Sequence, residues 1–459
     1  MASVRYLTEM LERIKEGESC STHDWDNKVV PKSVKKILKK YDLMGTYNPD
    51  VPVNQDLELA DRFFAAGLEL AETIGIHCTD TETVAKFSRQ ELLAALKQAP
   101  EVLVLGNGPD QVIMKARAPE DKTKPLFSTP LSIQIDEDIY EELVSELIRY
   151  KNIDILQGPS LDTVYGIPAF SGTPFETAAG IREAQLREAA IWRAGRPGIF
   201  QMVMSSSVTE FGFMAGYAAN EKPSRVQMGI GLQPSEIKTN YCNFNKMITT
   251  AAFGGYLRTG CPSMIGGYSG PPEGSVVANI ATDILQYAVF GTDISACSLF
   301  DVRQNTVCCR SGLWAMSMSV QATSRNTHTI LDKIINQTAG PCTEDILYTN
   351  AAGLITACVS GLELTTGPRS AGGALKNCIT PLEAYFCADV FKAAADLTLD
   401  KALEIVNYCL TKYEYAVANQ PKGKSYYECY DRKTRKPCAE WVDIDNKVRE
   451  DLRRFGLKI

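Results

Sequence analysis

Residues 194–208 read AGRPGIFQMVMSSSV, and two chemistries meet in them. Ile199, Phe200, Met202 and Val203 have the apolar side chains of a buried strand, whereas Met204 and the serines Ser205, Ser206 and Ser207 suit the mouth of a pocket. Phe200, Phe211, Phe213 and Tyr217 could wall a cation with their ring faces, although strand and helix packing accounts for them equally well. Met202 and Met204 serve more often as core fillers than as ligands. No Ser/His/Asp triad and no paired carboxylates stand out, so these residues alone name no reaction.

The elements that would position them begin with a helical N-terminal segment. Arg5 to Lys15 places Leu7, Met10, Leu11 and Ile14 at helical spacing, Pro31 starts a second helix through Tyr41, and a third runs from Asp56 to Ile74, closed by Gly75. Glu101 to Leu105, the Gly106-Asn107-Gly108 turn and Val112 to Ala116 read as a hairpin. Thereafter short apolar runs alternate with longer helical ones, the pattern of parallel strands joined by helices. The expected strands are Pro125–Thr129, Ile153–Gln157, Ile199–Val203, Val226–Gly231, Pro262–Gly266, Ser295–Phe300, a poorly defined one near Ile330–Ile335, and Gly361–Thr365. Helices are expected at Pro174–Ala194 and Val276–Phe290.

Eight strands with eight helices predict an α/β fold, a TIM-type (β/α)8 barrel. The competing doubly wound sheet usually carries a glycine-rich turn after its first strand, and the residues after Thr129 (PLSIQIDEDI) contain no glycine. The expected organisation is residues 1–120 as a helical cap and hairpin packed on the barrel, and residues 121–459 as the barrel with a C-terminal helical extension.

Composition narrows the function classes. A formal charge of −7 with scattered basic residues argues against a nucleic-acid partner, and the Lys35, Lys36, Lys39 and Lys40 group reads as a solvated helix face. The opening residues MASVRYLTEMLERIKEG are amphipathic with no apolar h-region, so the 14 cysteines are expected as reduced thiols in the cytoplasm. No C-x-x-C pair occurs and only 3 histidines are present, so no bound metal is expected. No run is apolar and long enough to predict a membrane span.

Barrels of this type carry their reactive groups at the C-terminal strand ends. Gly158-Pro159, Ser205 to Ser207, Gly266-Gly267-Tyr268, Asp301 to Arg303, Asn336-Gln337 and Gly367-Pro368-Arg369 would then converge on one mouth. Glycines there would admit a bulky flat ligand close to the backbone. Taken alone, Gly266, Gly267 and Gly270 read as turn residues and Tyr268 as a rim aromatic.

Several motifs add what spacing cannot. GESCSTHDWD at 17–26, GIHCTDT at 75–81, AGRPG at 194–198, GGYSG at 266–270, AGPCTE at 339–344 and GKSYYECYDRKT at 423–434 stand in one order along the chain. With them the chain resembles the monomethylamine:corrinoid methyltransferases of methylotrophic archaea and some bacteria. The resemblance implies a TIM-type barrel, a homo-oligomer, and passage of a methyl group from a small methylated amine or related donor to the Co(I) corrinoid (cobalamin) of a separate small partner protein.

In that family the residue four after RPG is pyrrolysine, whose imine takes up the amine; here it is Met202. A thioether has no electrophilic imine carbon. By the same resemblance a family glutamate falls on Thr259, and its glutamine and tyrosine partners fall near Ile334 and Asn336. The implied catalytic positions are Met202 and Thr259, the substrate positions Phe200, Gln201, Met204, Ile334 and Asn336, and the corrinoid-facing positions Gly266, Gly267, Tyr268 and Gln337. An apolar pocket of Phe200, Met202 and Met204 could desolvate a quaternary ammonium or sulfonium donor, which leaves as a neutral molecule. Two alternatives stand beside this: a catalytically silent barrel that binds a methylated ligand or the corrinoid protein, and a barrel enzyme of unrelated chemistry. Asp24, Trp25 and Asp26 read as structural or interfacial, and Thr343 within AGPCTE as a helix cap.

Overall fold

Eight short runs, each followed by a helix, pair side by side and in parallel in the computed structural model, which describes residues 2–130, 133–203, 209–220 and 226–459. The strands are β1 (Leu126–Ser128), β2 (Ile155–Leu156), β3 (Phe200–Val203), β4 (Gln227–Leu232), β5 (Tyr256–Gly260), β6 (Ile294–Ser295), β7 (Asp332–Asn336) and β8 (Leu364–Arg369). Each pairs with its sequence neighbour, β8 pairs with β1, and a parallel bridge from Ser295 to Leu331 joins β6 to β7. Following the pairings once round the barrel returns to β1 displaced by eight residues, the stagger of a TIM barrel. The expected fold class is the observed one.

Two strands lie elsewhere than expected. The fifth is Tyr256–Gly260, while Ser263–Ile265, within the expected Pro262–Gly266, pairs with Leu299–Asp301 in a separate two-stranded ladder beyond the barrel. The sixth is correspondingly confined to Ile294–Ser295, with Leu299–Asp301 in that ladder. The cause is Arg258, an inward-facing charge that breaks the apolar signature of YLRTG, so the next apolar run, PSMIG, looked more like a strand. The helix expected from Val276 begins at Pro272 and is buried on every side, which removes the periodicity that marks a helix start. Pro174–Ala194 is helical as expected, and its end is set by Gly195 in the left-handed region.

The hairpin Val102–Leu105/Val112–Lys115 closes the N-terminal end of the barrel. Its Leu103, Leu105 and Met114 pack against Leu126, Phe200 and Ile330 inside it. Asn107 N–H donates to Gly198 C=O at 2.9 Å, Tyr256 Oη donates to Val104 C=O at 3.2 Å, and Arg196 pairs with Asp110. A Cβ on Gly198 would stand 2.1 Å from the Asn107 carbonyl oxygen, so the strand can approach the hairpin only with glycine there.

The N-terminal helices Val4–Lys15, Val30–Lys40 and Leu57–Ile74 pack on the outside, chiefly against the helix Pro272–Phe290. A small sheet ties this segment to the mouth: Ile76–Cys78 pairs with Lys238–Thr239, which follow β4. Trp25 Nε1 donates to Glu236 C=O at 3.0 Å, and Lys238 forms a buried ion pair with Asp26 at 2.7 Å.

Candidate active site

Strand alternation and stagger together fix which side chains share a height inside the barrel. The lowest layer is Leu126, Phe200, Tyr256 and Ile330, and the next is Ile155, Met228, Ile294 and Leu364. Both are apolar and, with the hairpin, form a plug. The third layer is different: Ser128, Met202, Arg258 and Asp332, all buried. Above it come Gln157, Ile230, Ala296 and Thr366, and then Ile334, which with Ser298 is partly exposed. The interior therefore changes from hydrocarbon to charge at the height of Met202.

Arg258 Nε donates to Asp332 Oδ2 at 2.5 Å, and both side chains are fully buried. Burial raises the pKa of Asp332 while the Arg258 guanidinium opposes that shift. Arg258 Nη1 finds no hydrogen-bond partner among the described residues. A desolvated pair of this kind adds little net stability, but removal of one partner is costly.

The structure separates the expected site residues into groups. Phe200, Met202 and Ile334 face the interior, with Phe200 at the bottom, its ring centroid 6.0 Å from that of Tyr256. Met204 lies outside the described residues. Gln201 and Thr259 require correction, because alternation turns both toward the helices. The Gln201 Oε1 accepts from Arg187 Nε at 3.1 Å and from Asn220 Nδ2 at 3.3 Å. Thr259 stands in register with Gly231 and Ser295, positions that face the outer helices, so its hydroxyl is held away from the barrel interior.

At the rim, Asn336 ends β7, donating from Nδ2 to Asn305 C=O at 3.4 Å and accepting from Arg369 Nη1 at 3.3 Å. Gln337 is fully buried, donating to Arg369 C=O at 3.2 Å and accepting from Ala339 N–H at 2.6 Å; it braces two loops rather than facing a ligand. Gly266 (φ +85°), Gly267 and Tyr268 are exposed beyond the Ser263–Ile265 ladder, with Lys238 Nζ 5.4 Å from the Tyr268 ring centroid. A broad flat ligand would meet backbone and one aromatic ring there.

Arg258 and Asp332 were missed from sequence, and the only signal was one charge inside YLRTG and another at the start of DKIIN, which argues against a strand unless its partner is known. Glu236 was also missed. It is buried beyond β4, and burial raises its carboxyl to about 7 against hydrogen bonds from Ser269 Oγ (2.7 Å) and Met264 N–H (2.8 Å). Among the described residues no group of three His, Cys, Asp or Glu side chains could hold a metal ion.

Five of the six quoted motifs gather in two places away from the interior, and the sixth, AGRPG, lies at the plugged end against the hairpin. Trp25, Asp26 and His77 meet Glu236, Lys238 and Tyr268, with the Trp25 and His77 rings stacked at 5.3 Å. The 339–344 and 423–434 segments lock backbone to backbone, Gly340 N–H to Pro421 C=O at 2.9 Å and Lys424 N–H to Pro341 C=O at 3.0 Å. Thr343 caps the helix Glu344–Val359, its side chain accepting from Ile346 N–H. These five motifs build the scaffold around the mouth.

A staggered barrel of eight parallel strands, plugged at its N-terminal end, is the architecture of the TIM-barrel class. Comparison with known proteins makes this specific. The profile of monomethylamine methyltransferase MtmB matches residues 6–457, and the chain belongs to that family. It is 27% identical to monomethylamine methyltransferase MtmB3 of Methanosarcina barkeri (strain Fusaro), over 98% of this chain and 97% of the relative. It is equally 27% identical to MtmB1 of Methanosarcina acetivorans, with the same coverage. The crystal structure of Methanosarcina barkeri MtmB superposes with a TM-score of 0.94 at 26% identity, covering 99% of this chain and 98% of that one.

Proposed function

We propose that this chain moves a methyl group from a small methylated amine or related cationic donor to the corrinoid of a small partner protein, and does so with Met202 where the family's pyrrolysine resemblance would place an electrophile. A docked corrinoid would supply a Co(I) nucleophile. The chain's own work is to exclude water and hold the methyl carbon in line. Tyr268, Gly266 and Gly267 would receive the corrinoid face at the rim; Ile334 and Met202 would line the donor's path.

The observation that carries this reading is the family match over nearly the whole chain combined with a thioether in the layer where the interior turns polar. Met202 cannot form an imine adduct, so the donor must leave unaided. A quaternary ammonium or sulfonium does so as a neutral molecule. We take the protein to act in the cytoplasm as a homo-oligomer; none of the helices among the described residues is long and apolar enough to cross a membrane.

The test is to follow Co(I) absorbance with a candidate corrinoid protein and a panel of quaternary, sulfonium and simple methylamine donors. Loss of Co(I) with one donor class supports the proposal. A second reading, a catalytically silent barrel that binds the corrinoid protein or a methylated ligand, is favoured by the complete burial of Met202 above an apolar plug. Binding of the corrinoid protein with no methyl transfer from any donor would select it.

A further inference from the structure

The charge at the barrel mouth bears on which donor is used, an inference that rests on the proposed methyl transfer. Arg369 ends β8 beside the end of β7, at the two strand ends where TIM barrels commonly bind phosphate. Most of its guanidinium is withdrawn from water, and it has no acidic partner among the described residues. Its Nη1 contacts only the neutral Asn336 Oδ1, and its buried Nε has no hydrogen-bond partner among them.

Among the described residues three other cations near the mouth are paired with carboxylates, while Lys422 Nζ donates to the Thr338 carbonyl at 3.1 Å. Arg303 pairs with Asp301 at 2.8 Å, Lys238 with Asp26 at 2.7 Å, and Arg258 below with Asp332. Glu383, bonded to Ser370 next along the chain, is occupied by the N–H and hydroxyl of Thr380 and caps that helix. A partly desolvated cation without a counter-charge is unfavourable unless a ligand completes it. Burial alone lowers the Arg369 pKa, and no neighbouring carboxylate offsets it.

A purely cationic donor would be repelled on approach. Arg369 also lies three residues beyond Thr366, which is one layer above Met202, so roughly 10 Å of strand separates the rim from the interior. We propose that Arg369 binds an oxyanion, and that this oxyanion is the acid group of the methyl donor: a zwitterion whose carboxylate rests with Arg369 and Asn336 while its methylated cationic centre lies beside them in the mouth, on the side from which a corrinoid would approach. The same chemistry has a second source, the phosphodiester of a nucleotide-bearing corrinoid.

Binding is read first, without turnover, by calorimetric titration of acetate and inorganic phosphate into the whole protein and into Arg369→Gln and Arg369→Lys, each checked for an unchanged melting temperature. The expected result is anion binding weakened at least tenfold in Arg369→Gln and largely kept in Arg369→Lys. Equal binding by wild type and Arg369→Gln, or none by either, overturns the site whether or not the enzyme turns over.

The second arm compares methyl transfer from trimethylglycine and from choline, which differ only in carboxylate against alcohol, and uses cobalamin and cobinamide as acceptors. A donor preference of tenfold or more in kcat/KM, abolished by Arg369→Gln, supports the zwitterion. Equal rates for the two donors with a preference for cobalamin over cobinamide assign the oxyanion to the corrinoid and overturn the donor. Anion binding through Arg369 with no methyl transfer to any acceptor leaves the site standing and removes the proposed reaction instead.

Discussion

Arg258 on the fifth strand and Asp332 on the seventh join at 2.5 Å across the barrel interior, at the height of Met202, with no water-exposed surface on either. Two fully desolvated charges in the middle of a barrel depend on each other. Replacing Arg258 with Met strands the carboxylate and should cost about 3–5 kcal/mol of stability. The double variant Arg258→Met/Asp332→Leu should recover most of that loss, as urea unfolding would read. A double variant no more stable than the single would show that the pair's charges are not what couples them.

Met202 is asked to fill space and not to react. Met202→Leu keeps the volume, so stability should fall by less than about 1.5 kcal/mol and methyl transfer should persist within a few-fold. Met202→Ala opens a cavity in the third layer and should cost about 2–5 kcal/mol. Complete loss of transfer in a well-folded Met202→Leu variant would give the sulfur a chemical role.

Glu236, raised to about 7, gives stability a pH dependence. Its folded form keeps a proton that the unfolded chain releases near the ordinary carboxyl value, so folding is penalised progressively as pH rises from about 4.5 to about 7. The penalty is about 3 kcal/mol at full extent, by the energy of one pKa unit. Glu236→Gln mimics the protonated form and should flatten this part of the profile, raising the melting temperature at pH 8 relative to wild type but not at pH 4.5. An unchanged difference between the two proteins across that range would place the carboxyl in water.

Gly198→Ala tests the plug. The added Cβ would meet the Asn107 carbonyl at 2.1 Å, backbone against backbone, so the hairpin must shift from under the barrel. Thermal unfolding should show destabilisation of about 1–3 kcal/mol, the range for overpacking a tight contact. Protease cleavage in the Gly106–Asp110 turn should rise with it. A variant as resistant as wild type would mean that the hairpin accommodates the methyl group.

Sequence revealed the barrel because alternation of apolar strands and amphipathic helices survives without knowledge of contacts. Pro174–Ala194 was read at its observed bounds because proline starts it and a left-handed glycine ends it. The fifth strand was displaced because Arg258 and its partner are 74 residues apart, and neither shows that the other neutralises it. The inward position of Met202 was legible from the RPG offset, whereas the outward position of Gln201 depends on one residue of strand register. Thr259 illustrates the same limit: an offset by resemblance placed it in the site, and the pleat turns it out. Arg369 was visible as a strand-end residue, but its lack of a counter-charge is a property of the folded neighbourhood alone.

Among the described residues the hairpin plug fills the N-terminal end of the barrel, which leaves the C-terminal strand ends as the way in. On the proposed function, the partner that accepts the methyl group covers the same opening by which the donor arrives and the demethylated product departs. The order of events is thereby imposed by architecture: donor first, acceptor second, and product release only after the acceptor lifts away. A crowd of partner molecules would then slow turnover rather than speed it, since each early arrival seals an empty chamber.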